Sequence, residues 1–134
     1  MHASKHPSPD QHKPRFTLPV RVYYEDTDAA GVVYYANYLK FCERARTEWL
    51  RETGFGQKAL AAEQHIVFVV RTVQAEYLQA AVLDDQLEVV TSIERLGQAS
   101  LVFAQKIVRD SRVIFEALIT IACISLESRK AAPI

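Results

Sequence analysis

The sequence is poor in the residues that mark specialised classes of protein. Two cysteines, Cys42 and Cys123, are too few for a disulfide framework or a four-ligand zinc site, so we expect buried free thiols. Lysine and arginine together number 16, and aspartate and glutamate together also number 16. The resulting net charge of zero gives no positive field of the kind that favours nucleic acid as a partner. The most apolar stretch, Ala117 to Leu126, has about half the length that a membrane span requires.

The amino-terminal segment differs in composition from the rest of the chain. It holds three of the four histidines and three of the five prolines, namely His2, His6, His12, Pro7, Pro9 and Pro14. Such a segment has too little apolar surface to offset its ordering entropy. Residues 1–15 are therefore predicted to be a disordered tail, and residues 16–130 a single domain. The segment also lacks the apolar stretch of a secretory signal, which favours a soluble, cytoplasmic protein.

The body of the chain begins with a predicted strand and a long predicted helix. Leu18 to Tyr24 is rich in β-branched and aromatic residues, which favour a strand. From Val33 to Thr53 the apolar residues recur at the helical period and fall on one face. That face consists of Tyr38, Phe41, Cys42, Ala45 and Trp49. Gly54 and Gly56 then supply a stop, since a left-handed cap costs glycine no Cβ clash.

Beyond the helix the apolar period changes to two, which predicts strands. The predicted strands are Ile66–Val70, Val73–Tyr77, Leu87–Glu94, Ser100–Arg109 and Val113–Leu126. Short connections predict an antiparallel meander of the last three, and the final strand is apolar on both faces, so it should be central. This order indicates an α+β domain whose antiparallel sheet wraps around one long central helix. Because one helix covers only one face of the sheet, we expect an oligomer in which another copy covers the second face.

Three carboxylates lie directly before the predicted helix, at Glu25, Asp26 and Asp28. A helix start presents unpaired backbone N–H groups and a partial positive charge, which can polarise a carbonyl oxygen. A carboxylate beside such a start suits acyl transfer or hydrolysis, as a base or as a nucleophile. Acidic residues before a helix are more often caps that stabilise it, and both interpretations stay open at this point. The chain has no glycine-rich phosphate loop, His-Glu-x-x-His or Gly-x-Ser-x-Gly motif.

The block from Val20 to Glu48 resembles a known enzyme family. It contains Tyr-Tyr-Glu-Asp-Thr-Asp-Ala-Ala-Gly-Val-Val-Tyr-Tyr-Ala-Asn-Tyr-Leu and, shortly after, Phe-Cys-Glu-Arg-Ala-Arg-Thr-Glu. This block resembles the acyl-CoA thioesterases of the hotdog superfamily. Within them it is similar to the branch encoded with the Tol–Pal cell-envelope system, a relative of 4-hydroxybenzoyl-CoA thioesterase. The resemblance continues at Phe68–Arg71, Leu83–Asp85 and Ser100–Phe103, so it covers nearly everything after the predicted tail.

The resemblance implies a hotdog fold in which two protomers join edges, as a homodimer or as a homotetramer of such dimers. It also implies hydrolysis of acyl-CoA or acyl-carrier-protein thioesters without a metal or cofactor, in active sites formed between protomers. In the family motif the second aspartate is the catalytic carboxylate, which is Asp28 here. The backbone N–H of Tyr35 is implied to polarise the thioester carbonyl. Many members of this branch carry histidine at the position of Tyr35, whereas the 4-hydroxybenzoyl relatives carry tyrosine.

Two other functions stay open on the sequence. The implied Tol–Pal link suggests a catalytically idle scaffold that binds acyl carrier protein or phospholipid-synthesis enzymes at the inner membrane. A dehydratase of the same fold would need a histidine in the site, and His65 lies outside the motif. Glu43 is the rival catalytic carboxylate, because a helical glutamate serves as the base in a different hotdog thioesterase branch. Four arginines are candidates for holding the CoA phosphates: Arg71, Arg95, Arg109 and Arg112.

Overall fold

A computed structural model of the chain describes residues 14–53 and 65–133. In chain order its elements are β1 (Arg15–Arg21), a 3₁₀ helix (Tyr24–Asp26), α1 (Tyr35–Glu52), β2 (Ile66–Tyr77), β3 (Gln86–Leu96), β4 (Ser100–Arg109) and β5 (Arg112–Ser125). The predicted tail lies outside the described residues, except for its last two positions. Gly54 and Gly56, the predicted stop of the helix, also lie outside them.

The strands of the described ranges form one antiparallel sheet in the order β1–β3–β4–β5–β2. The meander of β3, β4 and β5 is confirmed, and its last connection turns at Asp110 and Ser111, where both residues have positive φ. The apolar β5 lies inside the sheet between β4 and β2, although β4 is the middle strand. The predicted α+β architecture, an antiparallel sheet around one long helix, is confirmed.

β2 is a long edge strand that pairs on one side with β5. Its register shifts between Val70 and Thr72, which leaves Arg71 as a bulge at the point where the sequence pattern divides into two extended segments. No strand of the described chain pairs with the other side of β2. An edge of twelve residues with unpaired backbone groups is a template for pairing with another chain.

α1 packs across one face of the sheet. The predicted apolar face of the helix is buried, with Trp49 partly so, and it shares one core with the inward side chains of the strands. The largest of these inward side chains are Leu87, Ile107, Ile114, Phe115 and Ile119. Each contributes about 1.5–3 kcal/mol by leaving water, so apolar packing fixes the helix on the sheet. In the described ranges, no helix is long and apolar enough to cross a membrane.

β1 begins and ends three residues earlier than the sequence pattern predicts. It pairs with β3 from Arg15 to Arg21, and the chain then turns into the 3₁₀ helix. The turn is closed by the Asp26 carboxylate, which accepts a hydrogen bond from the backbone N–H of Tyr23 at 2.8 Å. Tyr23 and Tyr24, whose aromatic rings favour a strand, are instead 62% and 81% exposed.

Candidate active site

The loop between the 3₁₀ helix and α1 forms a tight turn at Asp28. The backbone N–H of Asp28 donates to the Val32 carbonyl at 2.9 Å, and its carbonyl accepts from the Gly31 N–H at 3.0 Å. Gly31 has a φ of +83°, a conformation that favours glycine. One carboxylate oxygen of Asp28, Oδ1, accepts from the Ala30 N–H at 2.8 Å. The turn therefore fixes the direction in which the Asp28 side chain leaves the backbone.

Backbone hydrogen bonds hold this loop against the rest of the domain. The Val33 N–H donates to the Ala81 carbonyl at 2.8 Å, in the connection between β2 and β3. The Asp26 carbonyl accepts twice, from the Tyr34 N–H at 3.0 Å and from Asn37 Nδ2 at 2.8 Å. The candidate carboxylate and the first turn of α1 thus belong to one hydrogen-bonded unit.

α1 begins without a side-chain cap. Its N-cap residue, Tyr34, is extended and makes no capping hydrogen bond, and the first turn contains no acidic residue. The aspartates before the helix bond elsewhere, Asp26 to Tyr23 and Asp28 to Ala30. Among the described residues no acceptor takes the backbone N–H of Tyr35. The positive end of the helix therefore keeps a donor that no acceptor of the described residues takes, in the element that follows the Asp28 turn.

The side chains at the helix start are exposed tyrosines. Tyr34 and Tyr35 are 46% and 62% exposed, and their ring centroids lie 4.8 Å apart. The pKa of Tyr34 is raised chiefly by its hydrogen bond with Tyr35, then by the charge of Tyr35, by burial and by the charge of Asp28. The charge of Asp28 therefore acts on Tyr34, the residue directly before α1.

Tyr77, at the end of β2, ties the helix start to the sheet. Its hydroxyl donates to the Tyr35 carbonyl at 3.0 Å. Its ring packs edge-to-face on Tyr38 and Phe115, with centroid distances of 5.4 and 4.9 Å, and burial raises its pKa. The sequence pattern does not single out Tyr77, because only the tertiary fold brings it to a residue 42 positions away.

Glu43 and His65, the rival site residues, lie away from this region within one chain. Glu43 follows Tyr35 by eight residues on α1, about 12 Å along the helix, and accepts from the Thr47 hydroxyl at 2.5 Å. His65 directly precedes β2, at the opposite end of that strand from Tyr77. The described part of the chain brings together no three His, Cys, Asp or Glu side chains that could hold a metal ion.

Of the four candidate arginines, Arg109 has a structural contact. Its guanidinium donates to the Asp85 carboxylate at 2.8 Å, to the Ala80 carbonyl at 2.9 Å and to Gln79 Oε1 at 3.2 Å. These bonds fasten the connection between β2 and β3, against which the Asp28 loop also rests. The other three candidates are exposed: Arg71, Arg95 and Arg112.

A buried polar network crosses the core behind the helix. Arg46 is 6% exposed and donates to Gln105 Oε1 at 2.8 Å, while Gln105 Nε2 donates to the Cys42 carbonyl and to Thr91 Oγ1 at 2.9 Å each. Burial lowers the pKa of Arg46 and raises that of the Cys42 thiol to about 12. The burial of Arg46 could be predicted from the helical spacing, because Arg46 lies four residues after Cys42 and so falls on the apolar face.

Comparison with known proteins agrees with this architecture. Residues 22–134 match the sequence family described as the thioesterase-like superfamily, and the chain belongs to that superfamily. The acyl-CoA thioesterase YbgC of Haemophilus influenzae is 48% identical over 115 residues, covering 86% of this chain and 85% of that protein. The acyl-CoA thioester hydrolase YbgC of Escherichia coli is 52% identical over 110 residues, or 81% of each chain.

Solved structures show the same fold. A probable thioesterase from Bartonella henselae has a TM-score of 0.85 and 36% identity, and the match covers 90% of this chain and 99% of that one. The probable thioesterase YbaW of Escherichia coli has a TM-score of 0.78 and 30% identity over 88% and 89% of the two chains. The predicted hotdog fold and thioesterase family are therefore confirmed.

Proposed function

We propose that this protein hydrolyses acyl-CoA thioesters, with the Asp28 carboxylate and the backbone N–H of Tyr35 as its catalytic groups. The observation that carries the proposal is the uncapped start of α1. The Tyr35 N–H has no acceptor in residues 14–53 and 65–133, while Asp28 is held in the turn that precedes it. Relatives at 48–52% identity are named acyl-CoA thioesterases or thioester hydrolases, which supports the same reaction here.

The chemistry follows from the charge that develops on the thioester. The thioester carbonyl oxygen accepts from the Tyr35 N–H, and this oxygen becomes negative when a nucleophile adds. The donor and the helix dipole therefore stabilise the transition state more than the bound substrate. Asp28 either takes a proton from the attacking water or attacks the carbonyl itself, which forms an anhydride that water opens. By both routes the C–S bond breaks, one water is consumed, and a carboxylic acid and a thiol are released.

Asp28→Asn tests the carboxylate. Asparagine retains an oxygen that can accept from the Ala30 N–H, so the turn should persist, but an amide is neither an adequate base nor an adequate nucleophile. We expect thiol release from acyl-CoA to fall more than about tenfold, which is ~1.4 kcal/mol of barrier. Asp110→Asn is the matched control, because that exposed turn residue has a positive φ that asparagine tolerates. Loss of activity in Glu43→Gln with activity kept in Asp28→Asn would reverse the assignment.

Two further arms of this assay separate the remaining alternatives. Hydroxylamine traps an anhydride, so an aspartyl hydroxamate at residue 28 forms only if Asp28 attacks the carbonyl. Acyl-carrier-protein thioesters, tested beside acyl-CoA, identify the carrier of the acyl group. Absence of thiol release from every thioester of both kinds would favour the catalytically idle scaffold.

A homodimer joined at the free edge of β2 completes the proposed enzyme. That edge exposes apolar side chains, with Val69, Val70, Val73 and Tyr77 each 41–51% exposed. Pairing two such edges gives the unpaired backbone groups partners and covers these side chains. A homotetramer would cover the outer face of the sheet as well, where Leu118 is 40% exposed. Sedimentation should give a dimer or tetramer, and a monomer that retains full activity would contradict the pairing.

Cellular location and partners complete the proposal. Cys42 and Cys123 are free thiols, which suits the reducing cytoplasm. The resemblance adds the Tol–Pal system and peripheral association with lipid-synthesis proteins of the inner membrane. Recovery of those proteins with the tagged enzyme from cell extracts would support the association, and their absence at native expression levels would contradict it.

A further inference from the structure

Arg46 is a charged side chain in the core with one hydrogen-bond acceptor among the described residues. It is 6% exposed, and the structure gives it one acceptor in the described ranges, Gln105 Oε1. A guanidinium carries five N–H donors, and a buried donor without an acceptor is destabilising. Nor does any carboxylate in those ranges form an ion pair with Arg46. Within residues 14–53 and 65–133, Arg46 therefore has donors left for a second acceptor.

None of the described groups around Arg46 supplies that acceptor. Both hydrogen atoms on Gln105 Nε2 are used, on the Cys42 carbonyl and on Thr91 Oγ1, so the amide orientation is fixed with Oε1 toward Arg46. Glu43 lies near enough for its charge to act on Arg46, and one of its two carboxylate oxygens, Oε2, accepts from the Thr47 hydroxyl. Arg46 and Glu43 thus stand as a donor and an acceptor that are close without being bonded.

Both side chains line a cavity of about 90 Å³ between α1 and the strands. The rest of its lining is apolar and consists of Leu50, Phe68, Val70, Phe103 and Ile121. A cavity of this volume has room for water or for a small ligand group. An apolar wall with one guanidinium and one carboxylate suits a hydrocarbon that ends in a small polar group.

The proposed dimer brings this cavity to the helix start of the second copy. When two β2 edges pair antiparallel about a two-fold axis at the strand midpoint, residue 66 of one copy faces residue 77 of the other. Tyr77 is bonded to Tyr35, so the second copy's helix start lies by the end of β2 that carries Phe68. Within one chain, Tyr35 and Arg46 are eleven residues apart on α1, about 16 Å.

We propose that this cavity receives the far end of the substrate's acyl group and that Arg46 selects acyl groups carrying a hydroxyl there. The inference rests on the proposed function. A hydroxyl accepts a hydrogen bond from the Arg46 guanidinium and donates its own proton to Glu43. A methyl group leaves Arg46 without this acceptor. The cavity therefore favours the hydroxyl over the methyl group.

Matched substrate pairs test the selection. We would compare kcat/KM for acyl-CoA pairs of short to medium length in which the terminal methyl of one member is a hydroxyl in the other. At the chain length that reaches the cavity, the wild-type enzyme should prefer the hydroxyl by about tenfold or more. Arg46→Met should bring the pair to within about twofold, chiefly by raising kcat/KM for the methyl-ended member. Arg51→Met, on the exposed side of α1, should keep the wild-type preference.

The outcomes separate failure of this inference from failure of the proposed function. Equal kcat/KM within every pair, or an unchanged preference in Arg46→Met, would overturn the role of Arg46. No hydrolysis of any thioester by the wild-type enzyme would refute the proposed function itself. Should Arg46→Met not fold, Leu50→Phe replaces it, because a filled cavity should abolish the hydroxyl preference and shorten the preferred chain. A Leu50→Phe enzyme with the wild-type chain length and preference would overturn the proposal.

Discussion

The backbone N–H of Tyr35 can be deleted with little damage to the helix, because Tyr35 is the first residue of α1. Proline is favoured at the first helical position, where the missing N–H has no partner within the helix and the fixed φ suits helical geometry. Tyr34 before it has φ −62° and ψ 135°, the extended conformation that proline requires of its predecessor. We therefore expect Tyr35→Pro to fold, and to lose the donor that the proposed mechanism needs.

Removing the Tyr35 N–H should lower kcat strongly, whereas removing the Tyr35 ring should chiefly lower stability. Removing one oxyanion donor typically lowers kcat by about 10²–10³, or ~2.7–4 kcal/mol. The Tyr35 ring contacts Tyr34 and Tyr77 at centroid distances of 4.8 and 6.3 Å, and such aromatic pairs contribute about 0.5–1.5 kcal/mol each to stability. Tyr35→Ala loses the same ring but keeps the N–H. The ratio of kcat between the alanine and proline variants therefore isolates the donor, and we expect it to be about 10²–10³.

Thiol release under saturating acyl-CoA measures kcat for each variant, with circular dichroism and oligomer size as folding controls. Tyr35→Phe, which lacks only the phenol oxygen, should keep most of the activity. A folded Tyr35→Pro enzyme with kcat close to that of Tyr35→Ala would refute the backbone mechanism. A hundredfold fall in folded Tyr35→Phe would instead make the hydroxyl a catalytic group, in place of the histidine that the family resemblance implies for many members.

Four further predictions follow from individual contacts. Tyr77→Phe removes the hydrogen bond to the Tyr35 carbonyl and should lower the free energy of unfolding by about 1 kcal/mol in urea titration, and no change would contradict that contact. Arg109→Met breaks an ion pair with Asp85 in which both side chains are largely buried, and it should cost about 1–3 kcal/mol; the exposed Arg112→Met, expected to cost little, is its control. Deleting residues 1–13, which leaves β1 complete, should preserve activity and Tm, and a large drop in Tm would refute the predicted tail. Cys42 should resist iodoacetamide at neutral pH because burial raises its pKa to about 12, so labelling of the native protein seen by mass spectrometry would disprove this.

The elements that the sequence predicts well are those whose signal is local. Apolar residues recur at the helical period over the five turns of α1 and at a period of two in the strands of the meander. Each element is therefore predicted from residues that are close together along the chain. The bulge at Arg71 is visible as a break in the alternation. β1 is displaced because Tyr23 and Tyr24 have strand-forming rings but lie exposed, in a turn that an aspartate closes. Strand propensity reflects the aromatic side chain alone, so it does not predict the turn that Asp26 closes.

The features of the candidate site also differ in whether their signal is local in the sequence. The residue types and the family resemblance point to Asp28 and Tyr35, but they do not distinguish a helix cap from a catalytic carboxylate. The hydrogen bonds of the loop show that Asp28 bonds to the Ala30 N–H and does not cap α1, and its catalytic role is the proposal made above. Tyr77 and Gln105 could not be predicted, because their partners lie 42 and 59 residues away and meet only through strand order.

The family resemblance implies histidine in many members at the position of Tyr35, and such a change of side chain fits a donor that belongs to the backbone. The Tyr35 ring is 62% exposed, so the core does not depend on it. The geometry of the N–H is set instead by its neighbours, through the bond from the Tyr34 N–H to the Asp26 carbonyl and the bond from Tyr77 to the Tyr35 carbonyl. A position whose backbone is held from outside can change its side chain without moving the donor. Substitutions at residue 35 should therefore be tolerated according to whether they keep the N–H, with proline alone excluded.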